Sequence, residues 1–281
     1  MKPLLLLCTS CLFSILVWAG DVDTIAVYSR SMHKDIKCVV ITPAGYATTK
    51  KYYPVVYLLH GFGGNYARWL KAAPQLKDKS DELQFIFVCP DGGYGSWYLD
   101  NPMDSSVQYE TFTSKELVSF IDSHYTTIAD RKHRAITGLS MGGHGSLYLA
   151  IRHKDLYGAA GSTSGVVDIS HFPKNLDAKT SPGNTGCCDI DWEKKAVINL
   201  VDSLKNRDLK LIIDCGVYDI LVLSNRKLHE KLLRLGIEHD YIERPGTHSA
   251  SYWKNSIDYQ LLFFKKFFDD ADRPVLQKGK S

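Results

Sequence analysis

After about residue 50, short apolar runs alternate with amphipathic stretches, and no other feature constrains this chain as tightly. The runs VVYLLH (55–60), FIFVC (85–89) and LIID (211–214) are nearly continuous Val, Ile, Leu and Phe. Such composition suits strands that are covered on both faces. Strands separated by helices cannot pair as tight hairpins, so they imply a mainly parallel sheet with right-handed crossovers.

The strands expected are Thr24–Ser29, Ile36–Thr42, Val55–His60, Phe85–Cys89, His133–Thr137, Gly158–Ser162, Leu209–Asp214 and His239–Glu243. The helices expected are Ser114–His124, Gly142–His153, Asp191–Asn206, Leu223–Leu235 and Ser251 to Phe268. The fold class is therefore α/β, with a central sheet of about eight strands and helices on both faces. The first two strands lack an intervening helix and are expected to form an antiparallel edge. No repeat or composition break appears, so residues 20–281 are expected to form a single domain.

The first residues, MKPLLLLCTSCLFSILVWAG, read as something other than fold. Lys2 gives a positive start, Leu4 to Trp18 form an apolar run, and Val17-Trp18-Ala19 fits a signal-cleavage site. Residues 1–19 are expected to be a secretory signal peptide, giving a secreted or periplasmic protein with no membrane association after cleavage. The formal net charge of +3 carries no basic run, so no nucleic-acid partner is expected. Cys38, Cys89 and Cys215 sit in apolar, strand-like runs and read as buried small hydrophobes. Cys187-Cys188 lie in a polar loop where a disulfide is conceivable after export. No cysteine or histidine spacing suits a metal, and neither metal nor cofactor is expected.

Residues 138–142 read Gly-Leu-Ser-Met-Gly, placed after an apolar strand and before a helix. A serine between glycines can be an accident, but in this position it suits a nucleophile elbow, where a sharp strand-to-helix turn exposes the hydroxyl. A serine hydroxyl needs a base within hydrogen-bond reach and a third group to orient that base. With the elbow, the expected order along the chain is serine, acid, histidine. His248, in RPGTHSASYW, follows the last strand and precedes the final helix, which makes it the base. His144 should point away from the hydroxyl, and His153 and His229 read as solvated. In LKLIIDCGVYDILVLSN the acid is Asp219, just past the strand, in preference to Asp214, which is still within it. Oxyanion donors are expected at the backbone N–H of Met141 and of Phe62, the latter in the loop His60-Gly61-Phe62-Gly63-Gly64. A plain Gly-rich turn is the alternative for that loop, and His60 is expected to brace it. Trp97 and Tyr98, in an aromatic-rich loop, are candidates for stacking on a sugar or aryl ring. The polar segment Asp168–Ile190 reads as a lid or pocket wall, with His171 and Phe172 as candidate substrate contacts.

The ordered set YLLHGFGGN, PDGGYGSWYLDNP, YETFTSKELVSFIDSHY, AITGLSMGGHGSLYLAIRH, DCGVYD and RPGTHSASYW resembles the esterase D or "putative esterase" family of α/β-hydrolases. The likeness covers roughly residues 25 to 268. That family includes acetyl-xylan and feruloyl esterases, tributyrin esterases, S-formylglutathione hydrolases and mycolyltransferases. The resemblance implies Ser140 as nucleophile, Asp219 as acid, His248 as base, and Phe62 and Met141 as the oxyanion hole. The function expected is a secreted serine esterase removing acetyl or feruloyl groups from plant polysaccharides or their fragments. Its rivals are a short-chain acyl esterase, an S-formylglutathione hydrolase-like thioesterase, a mycolyltransferase-like acyltransferase and a non-catalytic carbohydrate-binding module. The last would typically lack a triad member, and all three are present.

Overall fold

The computed structural model describes residues 21–171 and 190–273. The expected leader, Phe172, Cys187 and Cys188 lie outside the described residues. Eight strands form one sheet: β1 (Asp21–Ser29), β2 (Lys34–Thr42), β3 (Val55–Leu59), β4 (Ile86–Pro90), β5 (Arg134–Gly138), β6 (Ala159–Thr163), β7 (Lys210–Gly216) and β8 (Asp240–Arg244). Their order across the sheet is β1-β2-β4-β3-β5-β6-β7-β8. β1 and β2 pair antiparallel, as does β2 with β4, and every later pairing is parallel. The expected antiparallel edge and parallel centre are therefore both present.

Alternate residues of a strand face opposite sides of a sheet, and the two cores follow that rule. Val55, Tyr57 and Leu59 of β3 join Leu117, Leu147 and Leu228 on one face. Val56 and Leu58 join Trp69, Leu76 and Phe264 on the other. Helices Leu117–His124, Met141–Arg152 and Val222–Arg234 thus cover one side, and helices Arg68–Ala72, Leu76–Leu83 and Ala250–Asp272 the other. Burial on both faces is the physical reason that β3, β4 and β5 tolerate no polar alternation. Cys38 of β2, Cys89 of β4 and Cys215 of β7 are free and buried, as expected from their apolar neighbours.

One expected helix fails. Asp191–Asn206 is not continuous but splits into the turns Trp192–Lys195, Val197–Leu200 and Val201–Ser203. Ala196 is fully buried with extended backbone (φ −69, ψ 125), and the amide of Ile198 donates to Val167 O at 2.9 Å. Tertiary hydrogen bonding wins over local helical pattern there. The short helices Arg68–Ala72 and Leu76–Leu83 were not expected.

The chain passes from β3 outward to β4 and then returns to the other side of β3 for β5. In open α/β sheets, ligands gather outside the carboxyl ends of strands at such a reversal.

Candidate active site

Ser140 follows β5 at this reversal, with φ 55 and ψ −118. A non-glycine residue there is strained, and strain persists only where the surroundings fix it. The Ser140 amide donates to Thr163 O at 3.0 Å, and its carbonyl accepts from His144 N at 3.1 Å and Val166 N at 3.3 Å. The turn also needs bare backbone on either side. A Cβ on Gly138 would sit 2.3 Å from Gly142 O, and one on Gly142 would sit 2.2 Å from Leu59 O. The G-x-S-x-G pattern is thus dictated by packing of the elbow on itself at Gly138 and against the end of β3 at Gly142.

His248 lies in the loop between β8 and the last helix. Its Nε2 is 3.0 Å from Ser140 Oγ, and its Nδ1 is 3.0 Å from Asp219 Oδ2 and 3.1 Å from Oδ1. Asp219 follows β7, and its carboxylate also accepts from Leu221 N at 2.9 Å. Burial opposes the charge on Asp219, but the hydrogen bonds from His248 and Leu221 outweigh it and hold the carboxyl below its usual range. The residues from the ends of β5, β7 and β8 are therefore brought into one hydrogen-bonded chain.

Asp214 is engaged elsewhere. Wholly buried, it accepts from Ser256 Oγ at 2.7 Å and from Arg244 Nη2. Burial raises its pKa above the ordinary carboxylate value despite these donors.

Two backbone amides near Ser140, those of Phe62 and Met141, make no hydrogen bond among the described residues. The loop carrying Phe62 is fixed by His60. Gly92 N donates to His60 Nε2 at 2.8 Å, which leaves Nδ1–H to donate to Gly61 O at 2.8 Å.

A cleft of about 300 Å³ opens here, lined by Phe62, Arg68, Trp97, Val166, Trp253 and the Ser140–His248 pair, with glycines 61, 63 and 64 on its floor. Trp97 is thus at the site. Tyr98 is not: it is fully buried, and its hydroxyl donates to His60 O at 3.0 Å, so its expected substrate contact is corrected to a brace under the loop. His171 does not line the cleft either, and its exposed ring pairs with Asp168 at 3.1 Å. His153 is not freely solvated but bonds Glu110 at 3.1 Å. His144 points away from the hydroxyl, as expected, and is fully buried between Trp97 and Tyr148. Sequence reasoning missed Arg68 and Trp253. Trp253 stands in the same motif as His248 and packs edge-on against it, ring centroids 5.1 Å apart.

The family model described as "Putative esterase" matches residues 29–264. An esterase of Mycobacterium tuberculosis is 29% identical over 74% of this chain and 51% of its own length, so the chain spans about half of that relative. An acetyl esterase of Caldicellulosiruptor saccharolyticus is 26% identical over 86% of this chain and 97% of its own. A solved ferulic acid esterase superposes with a TM-score of 0.78 at 27% identity, over 89% of this chain and 99% of that one.

Proposed function

This chain belongs to the "Putative esterase" family, and from that premise we propose that it is a serine carboxylic-ester hydrolase acting through an acyl-enzyme. Ser140 Oγ attacks the ester carbonyl carbon while its proton passes to His248 Nε2. Asp219 keeps Nδ1–H oriented and stabilises the imidazolium that forms. The carbonyl oxygen, now negative, accepts from the amides of Phe62 and Met141. Collapse of the tetrahedral species breaks the bond to the alcohol, which leaves with the proton held on His248. A water molecule then repeats the sequence, giving its proton to His248 and its oxygen to the acyl carbon, and Ser140 is regenerated.

One observation supports this reading above the others: Oγ, imidazole and carboxylate stand at 3.0 Å spacings beside two amides that have no other acceptor among the described residues. Acetyl or feruloyl groups on plant polysaccharides or their fragments are the proposed substrates. The relatives named acetyl esterase and ferulic acid esterase support this choice, as do the aromatic walls Phe62, Trp97 and Trp253. Residues 1–19 are proposed to be removed as a leader before the single domain works outside the cytoplasm. Among the described residues no helix is long and apolar enough to cross a membrane.

The test is a rate panel of 4-nitrophenyl acetate, butyrate and octanoate with methyl ferulate and acetylated xylan. Turnover of acetylated xylan or methyl ferulate at or above the chromogenic esters supports the substrate class. Turnover of the chromogenic esters alone restricts the chain to a short-chain acyl esterase.

A further inference from the structure

Among the described residues, the cleft lining carries one permanent charge and no carboxylate to neutralise it. That charge is Arg68, the first residue of the helix after the oxyanion loop and the only lysine, arginine or carboxylate among the described residues lining the cleft. The guanidinium carbon lies 5.4 Å from the centre of the Trp253 ring, and Arg68 makes no ion pair among the described residues. Three other arginines have carboxylate partners: Arg134 bonds Asp122, Arg152 bonds Glu110, and Arg244 bonds Asp214. Placing a cation in a partly enclosed cleft costs solvation, and stacking on an indole returns only part of it. The contact with the ring uses no N–H donor, and none of the guanidinium N–H groups bonds an acceptor among the described residues, so all of them remain available to a planar acceptor.

We infer that Arg68 selects substrates carrying a carboxylate, so that the ester cleaved at Ser140 belongs to a monoanionic molecule such as a hemiester of a dicarboxylic acid or an acylated hydroxy- or uronic acid. This inference rests on the hydrolase reading above and deepens it. A carboxylate matches the guanidinium edge in two parallel hydrogen bonds. It also matches in charge: one cation, with no second lysine or arginine lining the cleft among the described residues, neutralises a monoanion and leaves a phosphate dianion half compensated. Trp253 couples the two functions physically, because the ring that carries Arg68 also packs against His248. A substrate anchored at Arg68 is therefore held by the wall that supports the base, which favours a fixed approach of its ester to Ser140.

Two substrate pairs distinguish where the carboxylate resides. On the acyl side, 4-nitrophenyl hemiglutarate is compared with 4-nitrophenyl valerate. On the alcohol side, 4-acetoxybenzoate is compared with 4-acetoxybenzamide. At low ionic strength kcat/KM of the anionic member should exceed that of its neutral match at least ~10-fold in one pair. Arg68→Gln should bring that ratio to about one, Arg68→Lys should keep part of it, and roughly 0.5 M salt should compress it in the wild type. Labelling of Ser140 by a fluorophosphonate in each variant shows that the site is still assembled. Equal rates within both pairs, or a preference that survives Arg68→Gln, overturns the inference while leaving the hydrolase intact. Turnover of none of the four esters overturns the hydrolase reading instead. Binding to Ser140→Ala keeps the two apart: calorimetric titration with monomethyl glutarate should show tighter binding than dimethyl glutarate, and Arg68→Gln should abolish the difference. Equal binding of the two overturns the role of Arg68 without reference to catalysis.

Discussion

Asp214 lies within β7 and Asp219 just past its end, and their carboxylates serve different partners. Asp219 turns to His248 Nδ1, and Asp214 turns to Ser256 and Arg244 inside the sheet. The exchange of one oxygen for an amide therefore has a different meaning at each position. Asp219→Asn keeps the size but supplies a donor where Nδ1–H needs an acceptor, favouring the wrong tautomer, so kcat should fall about 10³–10⁴-fold with little change in Tm. Asp214→Asn leaves the partly buried Arg244 without its counter-charge and should cost roughly 3 kcal/mol, with activity following the folded fraction. Denaturant midpoints and kcat measured on both variants check the assignment. A catalytically dead but stable Asp214→Asn would reverse it.

Ser140→Ala removes one oxygen at a position whose backbone conformation is imposed by the elbow, so alanine bears the same strain as serine. Ester turnover should drop at least ~10³-fold while the melting temperature stays near that of the wild type. Mass spectrometry after fluorophosphonate treatment should find the label on Ser140 in the wild type and none on the variant. Retention of more than a tenth of the activity would remove Ser140 from the mechanism.

The parts of the molecule that were legible in the sequence are those fixed by local chemistry. Ser140 announces itself because a Cβ at Gly138 or Gly142 would overlap backbone atoms, 2.3 Å from Gly142 O and 2.2 Å from Leu59 O respectively. His248 and Asp219 follow from chain order, since each strand of a parallel sheet delivers its next loop to the same edge. What failed depends on contacts distant in sequence. Tyr98 shares an aromatic loop with Trp97, but only the fold decides that Trp97 reaches the cleft and Tyr98 goes under His60. The helix expected over Asp191–Asn206 breaks because Ile198 bonds Val167, a partner its own periodicity does not contain. Arg68, in the stretch NYARWL, belongs to no motif, and its place in the cleft depends on the last helix, which brings the Trp253 ring within 5.4 Å.

Acid stability should depend on Glu110. Burial alone would raise its carboxyl, but hydrogen bonds from His153, Arg152 and Tyr148 hold it down at about 2, against an unfolded value of 4.5. A carboxyl lowered on folding contributes stability that is fully present above about 4.5 and is lost as the pH falls through about 2. The amount at stake is on the order of 3 kcal/mol. Glu110→Gln should therefore be less stable than the wild type at pH 7, and its urea midpoint should change less between pH 4.5 and 2.5. Parallel curves for the two proteins across that interval would exclude Glu110 as a source of acid sensitivity.

His144 should act in a different pH window and with the opposite kind of group. It is fully buried, neither ring nitrogen has a hydrogen-bond partner among the described residues, and burial pushes its pKa down to about 3 from 6.5. Between those values the unfolded chain binds a proton that the folded one refuses. Stability is thus complete above about 6.5 and declines as the pH falls toward 3. From pH 6.5 to 5 the decline attributable to this residue is on the order of 2 kcal/mol, before Glu110 begins to titrate. His144→Leu is close in volume, leaves no unsatisfied nitrogen between Trp97 and Tyr148, and cannot be protonated. The variant should match or exceed the wild type at pH 7 and stay nearly flat to pH 5, while the wild type falls. Urea titrations at half-unit intervals of pH check this. If both proteins lose the same stability over the interval, His144 is hydrated or hydrogen-bonded in solution, and the acid sensitivity belongs to other groups.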